Sequence, residues 1–276
     1  MQEPDYIQLN KQSWNANVPV HMASPFYGLD QFIKGQSSLN DIELQLLGNI
    51  EGKSILHLQC HFGQDSISLA RLGAKVTGVD FSEQAIEAAR NLAQQTGANA
   101  DFICCDVYSL PEHLDHHFDI VFTSYGVIGW LPDMEKWAYV VSKFLKPGGS
   151  FVMVEFHPVV WMFDNDFDRV EYRYFNAEPI VETTEGSYAD RSADIKNQTV
   201  NWNHSLDEVI SNLIEQGLQI ESFKEYDYSP YNCFNHTVET SPGHFQIKKL
   251  GNKIPMLYSV KATKNANSKK SSARGV

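Results

Sequence analysis

Positive charge and cysteine are scarce in this chain, and no long apolar run occurs. Its 276 residues carry 22 lysines and arginines against 34 acidic residues, a formal net charge of −12. A nucleic-acid substrate would need a basic surface to meet its phosphates. The only Lys/Arg cluster lies at the C-terminal end, so a small-molecule substrate is expected and nucleic acid is not. The 4 cysteines, Cys60, Cys104, Cys105 and Cys233, form no CxxC pair. Cys60 and Cys104 fall on or beside strands, where reduced, buried thiols are common, and a cytoplasmic location is expected. No stretch approaches the ~20 apolar residues of a membrane span, and the acidic opening Met1-Gln2-Glu3-Pro4-Asp5 is unlike the positive start of a signal peptide. What is present, 42% hydrophobic residues, suffices for a sizeable core in one domain carrying an insertion, as a monomer or homodimer.

Glycine is scarce where nucleotide-binding chains are rich in it. In Ser54-Ile55-Leu56-His57-Leu58-Gln59-Cys60-His61-Phe62-Gly63-Gln64-Asp65 an apolar strand runs into a sharp loop. A helix over residues 66–72 follows and stops at Gly73. A second strand, 74–79, ends at Asp80, so a strand, a turn, a helix and an acidic residue stand at nucleotide-ribose spacing. A pyrophosphate needs backbone brought very close, which is why dinucleotide folds place three glycines in this turn. Here only Gly63 remains, and Gln59 and His61 would crowd a pyrophosphate. Backbone N–H groups at the helix start suit a smaller anion such as the carboxylate of an amino-acid end.

The chain resembles the class I S-adenosylmethionine-dependent methyltransferases over residues 54–157. Val79-Asp80-Phe81-Ser82 is similar to the family's acidic loop, which implies Asp80 on the ribose hydroxyls with Phe81 and Ser82 beside it. Phe102-Ile103-Cys104-Cys105-Asp106-Val107 is similar to its third strand, which implies Asp106 and Val107 at the adenine. Phe118-Asp119-Ile120-Val121-Phe122-Thr123-Ser124-Tyr125-Gly126 resembles its fourth strand and the loop facing the methionine part, and Leu145-Lys146-Pro147-Gly148-Gly149 the turn before the fifth. His57 replaces the usual acidic residue of the first motif, and Gln59 and His61 replace glycines; histidine tolerates left-handed backbone better than most residues. The resemblance implies a Rossmann-like seven-stranded sheet, mostly parallel with an antiparallel last strand and helices on both faces. It also implies S-adenosylmethionine as cofactor, held by Gln59, Cys60, His61, Gly63, Asp80, Phe81, Ser82, Asp106, Val107 and Ser124, to which the aromatic N-terminal segment is expected to add Tyr27.

Residues 1–37 are aromatic, with Pro19 and Pro25 discouraging long helices, and are expected as an N-terminal lid to which Tyr27 or His21 contributes polar contacts. A cofactor-binding core is expected over 38–158, its first helix spanning 38–47. Residues 159–204, where the strand–helix rhythm stops, are expected as a β-rich substrate-cap insertion above the carboxyl ends of the sheet. Lid and insertion would close over the cofactor from opposite sides. Ser205 and Glu208 form a capping box that returns the chain to the core over 205–261, with last strands at 218–223 and 256–261. A polar tail over 262–276 is expected to be disordered. His113, His116 and His117 cluster, but no neighbouring motif completes a site and no metal is expected.

The expected function is methyl transfer from S-adenosylmethionine to a small-molecule acceptor by in-line displacement, work that is mainly geometric. A nicotinamide-dependent dehydrogenase would want the missing glycines, and a non-catalytic S-adenosylmethionine binder stays open. The candidate bases are His204, at the start of a helix whose N-terminus would favour a neutral ring, then His157 after the fifth strand, with Tyr125 lining the pocket.

Overall fold

Ile55, Leu56 and Leu58 are fully enclosed, and His57 between them is buried too, because the strand pairs on both sides and is covered on both faces. The computed structural model describes residues 6–266. Along the chain the strands are β1 (Ser54–Leu58), β2 (Lys75–Asp80), β3 (Ala100–Cys104), β4 (Phe118–Ser124), β5 (Leu145–Phe156), β6 (Ile180–Glu185), β7 (Lys196–Asn201), β8 (Leu218–Tyr226), β9 (Thr237–Ser241), β10 (His244–Ile247) and β11 (Leu257–Lys264). The helices are α1 (Tyr6–Ala23), α2 (Leu29–Ile33), α3 (Asp41–Leu47), α4 (Gln64–Arg71), α5 (Glu83–Thr96), α6 (Leu110–His113), α7 (Met134–Phe144) and α8 (Leu206–Glu215).

Seven strands form one sheet in the order β3-β2-β1-β4-β5-β11-β8. All neighbours pair parallel except β11, which is antiparallel to both β5 and β8. The Rossmann-like sheet expected from the sequence is therefore present. Trp137, Val141 and Phe144 of α7 and Val209 and Leu213 of α8 bury one face. On the other face Ile67 and Leu69 of α4, Ile86 and Leu92 of α5 and Ile42 of α3 are buried. Strand order reverses between β1 and β4, and at such a switch point the loops diverge and leave a crevice at the carboxyl ends.

The N-terminal segment corrects the sequence reading. Residues 6–23 form an 18-residue helix with Pro19 inside it. Its buried residues are Asn10, Ser13, Val18 and His21, a largely polar face that carries no apolar period. Tertiary bonds hold it instead. Asn10 donates Nδ2–H to the Val200 carbonyl at 2.8 Å and accepts the Val200 N–H at 2.8 Å, so α1 joins the edge of the β6–β7 hairpin. Asn17 meets Asn197, and Ser24 Oγ–H bonds the Ala189 carbonyl. Lid and insertion are thus bonded to each other into one cap.

Three further boundaries move. The helix expected from Ser38 begins at Asp41, because Asn40 caps it and Glu43 closes the capping box from inside. The last strand runs to Lys264, since Ala262 and Thr263 pair with both β5 and β8; of the expected tail, residues 267–276 lie outside the described residues. The stretch between β8 and β11 is not a simple hairpin connection, for β9 and β10 pair there and Tyr231, Cys233, Phe234 and Asn235 reach the crevice. Among the described residues no helix is long and apolar enough to cross a membrane.

Candidate active site

The crevice is a cavity of about 1200 Å³. Its floor is the turn after β1. Gln59 and His61 sit there at φ 55° and 52° and Gly63 at φ 81°, so the turn has a left-handed shape although two of its three such positions carry side chains. His61 donates its N–H to Asp80 Oδ2 at 2.8 Å, and Ser82 donates its N–H to Oδ1 at 3.0 Å. Asp80 is only 8% exposed, and burial pushes its carboxyl up to about 6 against the N–H groups that favour the anion. Ser82 is buried as the cap of α5, accepting the Ala85 N–H, and donates to Asn15 of α1. A second, smaller recess opens between Asp106, Val107, Phe81, Val79 and Tyr6. Asp106 Oδ2 accepts the N–H groups of Tyr108 and Ser109. Gln59, Asp80 and Phe81 border both spaces.

This arrangement fits S-adenosylmethionine. The resemblance assigns the recess beside Asp106 to the adenine, the buried Asp80 to the ribose hydroxyls and the larger cavity to the methionine end. Gln59 donates to the Val127 carbonyl at 2.7 Å, tying the floor to the β4 loop. Cys60 is buried with its sulfur against the position a Gly78 side chain would fill. Ser124 Oγ–H bonds Asp65 Oδ2 at 3.1 Å, and Ser38 Oγ–H bonds Oδ1 at 2.6 Å. Asp65 is thus the acid at the cavity floor, while His57, in the place of the family's acidic residue, is buried against Ser66 Oγ at 2.8 Å and pushed down to about 3 by burial.

The cap reaches the floor through aromatic and imidazole groups. Tyr27 and Tyr188 share a short hydroxyl contact. His21 Nδ1 lies 3.3 Å from His61 Nε2, and its Nε2 lies 2.7 Å from Ser187 Oγ. Burial holds both rings neutral, His21 down to about 4 and His61 well below the ordinary range, where His21 adds to the effect.

The two histidines expected as bases face protein partners, and of the two only His204 borders the cavity. His157 does not line the cavity; its Nδ1 accepts the Val159 N–H at 3.1 Å, and its Nε2 lies 3.0 Å from Glu225 on β8. His204 has a fully enclosed side chain, with Nε2 2.7 Å from the Leu131 carbonyl and Nδ1 3.0 Å from Glu208. The carbonyl holds Nε2, and Nδ1 is buried beside Glu208 without a hydrogen bond, so neither nitrogen is presented to a substrate as an exposed base would be. We expect His204→Ala to lower stability by roughly 1–3 kcal/mol, the cost of leaving a buried acceptor unpaired, with cofactor affinity unchanged; denaturant unfolding and calorimetry measure the two.

Tyr125 does face the cavity, at φ 48°. Its hydroxyl donates to Glu43 Oε2 at 2.7 Å, and its ring meets Tyr231 edge-on at 5.0 Å. Sequence reasoning missed Glu43, Asp65, Tyr188 and Tyr231. The capping box around Glu43 was legible, but a capping glutamate is ordinarily solvated, and nothing local marks this one as 0% exposed. Among the described residues no group of three His, Cys, Asp or Glu side chains stands where it could hold a metal.

Residues 55–149 match a family described as a methyltransferase domain. Over 133 residues the chain is 32% identical to ubiquinone biosynthesis O-methyltransferase of Idiomarina loihiensis, a match covering 47% of this chain and 54% of that protein. The chain thus spans about half the length of the curated relatives it matches. The solved S-adenosylmethionine dependent methyltransferase of Mesorhizobium loti shares the fold with a TM-score of 0.55 at 19% identity, over 84% of this chain and 100% of that one. An S-adenosylmethionine-dependent methyltransferase from Clostridium acetobutylicum does so with a TM-score of 0.56 at 15% identity, over 93% and 98%.

Proposed function

We propose that the chain, which matches a methyltransferase domain over residues 55–149, is a class I S-adenosylmethionine-dependent methyltransferase with S-adenosylmethionine as its cofactor, and that it methylates a small molecule held beneath the cap. The observation that carries this reading is the buried Asp80 carboxylate, fixed by two N–H groups beneath a left-handed turn and open to a cavity large enough for cofactor and acceptor together. The cofactor supplies an activated methyl on a sulfonium. The chain's own residues then have three tasks. Asp80 and Asp106 fix the nucleoside end, the Gln59–Gly63 turn and Asp65 orient the amino-acid end, and the cap excludes water so that an acceptor is held in line. The named relative is an O-methyltransferase, and an oxygen acceptor of small size is the reading we adopt for this chain.

Calorimetry with S-adenosylhomocysteine tests the binding, with NAD as the comparison, and a metabolite library incubated with S-adenosylmethionine and read by mass spectrometry tests turnover. Binding without turnover of any acceptor would leave a non-catalytic binder; no binding would end the reading. Hydrogen exchange gives a further expected outcome. Because α1 and the β6–β7 hairpin are bonded to each other and to His61, adding S-adenosylhomocysteine should slow exchange in residues 6–27 and 180–201 together. Protection confined to the sheet would remove the cap from cofactor binding.

A further inference from the structure

We propose, resting on the methyl-transfer reading above, that Glu43 and Tyr125 form a proton relay serving the acceptor, which assigns the acceptor to hydroxyl compounds that must lose a proton to react, phenols foremost. Tyr125 is the group that touches the acceptor; Glu43 acts through it.

Glu43 has an ordinary structural duty, and that duty uses one oxygen. Oε1 accepts the Asn40 N–H at 3.1 Å and the Asn40 side-chain N–H at 3.1 Å, which is the capping box of α3. Oε2 is turned the other way and receives the Tyr125 hydroxyl. A buried carboxylate ordinarily has a cationic partner, yet among the described residues no lysine, arginine or histidine is hydrogen-bonded or ion-paired to Glu43. The groups that face it are Asp65 from α4, Tyr125 after β4, and Tyr228 and Tyr231 from the segment after β8, with Asp41 on its own helix. Lys261 of β11 bonds the Leu46 carbonyl, toward the other end of α3. Burial first, then Asp65, raise the Glu43 carboxyl to about 7, where a base is matched to neutral pH. Tyr125 holds a backbone conformation that side chains rarely adopt, and such strain gathers at functional sites. It lies at the carboxyl end of β4, at the switch point.

The transfer balances. The acceptor's hydroxyl proton passes to the Tyr125 oxygen as Tyr125's own proton passes to Glu43. The acceptor oxygen forms its bond to the methyl carbon, the methyl–sulfur bond breaks, and its electron pair stays on sulfur, leaving S-adenosylhomocysteine. Glu43 returns its proton to solvent after product leaves.

Glu43→Gln keeps an oxygen for the Asn40 N–H, so the cap of α3 survives, and it removes the base; Tyr125→Phe breaks the relay at its other member and serves if the first variant fails to fold. Two readouts separate a relay from a structural role. In the ligand-free full chain, infrared titration should show a protonated carboxyl band with a midpoint near 7 that vanishes in Glu43→Gln. With S-adenosylmethionine and a series of phenols from 4-nitrophenol to 4-methylphenol, kcat of Glu43→Gln should fall by ~10²-fold on the weakest acid and by less as the phenol becomes more acidic, with S-adenosylhomocysteine affinity retained. A band that persists in the variant, or an equal loss on every phenol, overturns the relay. Methylation of none of the phenols by the wild-type chain overturns the acceptor class. Failure of the wild-type chain to bind S-adenosylhomocysteine would instead bring down the methyl-transfer reading, a distinct failure because the infrared titration needs no ligand.

Discussion

Asp80→Ala should weaken S-adenosylhomocysteine binding by roughly 1–3 kcal/mol, about 5- to 150-fold in calorimetry, because buried ribose hydroxyls lose their charged partner. The same change leaves the His61 and Ser82 N–H groups without their acceptor inside a closed loop. Stability should therefore fall as well, by roughly 2–4 kcal/mol for two buried donors left unpaired. Asp80→Asn, which keeps one acceptor oxygen, should recover part of the stability and little of the affinity. A pH series adds an independent check. Burial holds the Asp80 carboxyl up at about 6, so an affinity that needs the anion is complete above that pH. It declines as pH falls through it, by up to about tenfold per unit. An affinity level from pH 5 to pH 8, or an alanine variant that binds normally, would show that Asp80 does not serve the ribose.

Gly63→Ala is expected to be as damaging by another route. The position has φ +81°, and an added Cβ would lie 2.8 Å from Phe102 Cε1 and 2.9 Å from the Ala89 side chain. The left-handed backbone costs a non-glycine residue about 1–2 kcal/mol and overpacking a closed contact typically ~1–3 more, so a loss of roughly 2–5 kcal/mol should appear in denaturant unfolding. For a chain of this size that corresponds to a drop in Tm on the order of 4–20 °C. Phe102 is the aromatic floor of β3 and belongs to the cluster that holds Cys60 and Phe62 in place, so cofactor affinity should decline with stability. The double variant with Phe102→Leu, which removes the ring edge, should recover the packing part of the loss and not the backbone part. A Gly63→Ala chain as stable as the wild type would mean that the turn moves freely, and the rigid cofactor floor would have to be given up.

The comparison with Gln59 and His61 sharpens why glycine survives at one place in the turn. Both hold left-handed backbone, yet their side chains have somewhere to go: Gln59 reaches the Val127 carbonyl, and the His61 ring lies among Phe62, Tyr27 and Trp14. At Gly63 the space is filled by Phe102 and Ala89. Local sequence shows the scarcity of glycine; it does not show which of the vacancies can take a side chain.

Periodicity and caps determined the sheet. Alternating apolar strands and amphipathic helices, with Ser82, Asp133, Ser205 and the glycines after them as punctuation, carry their meaning within a few residues, so the order of elements and the place of Asp80 and Asp106 at strand ends were readable. Three things were decided only by tertiary structure. The first helix buries Asn10, Ser13 and His21, of which Asn10 and His21 are held by distant partners, Val200 lying 190 positions from Asn10, so no local apolar pattern announces it. His204 and His157 looked free because a histidine's role depends on what faces its ring nitrogens, and Leu131, Glu208, Val159 and Glu225 take them. Glu43 went unnoticed because its sequence neighbourhood reads as an ordinary helix start. Only the packing of α3 beneath the β4 loop removes it from water and sets it against Tyr125; burial changes a carboxyl's chemistry, and burial depends on the whole fold.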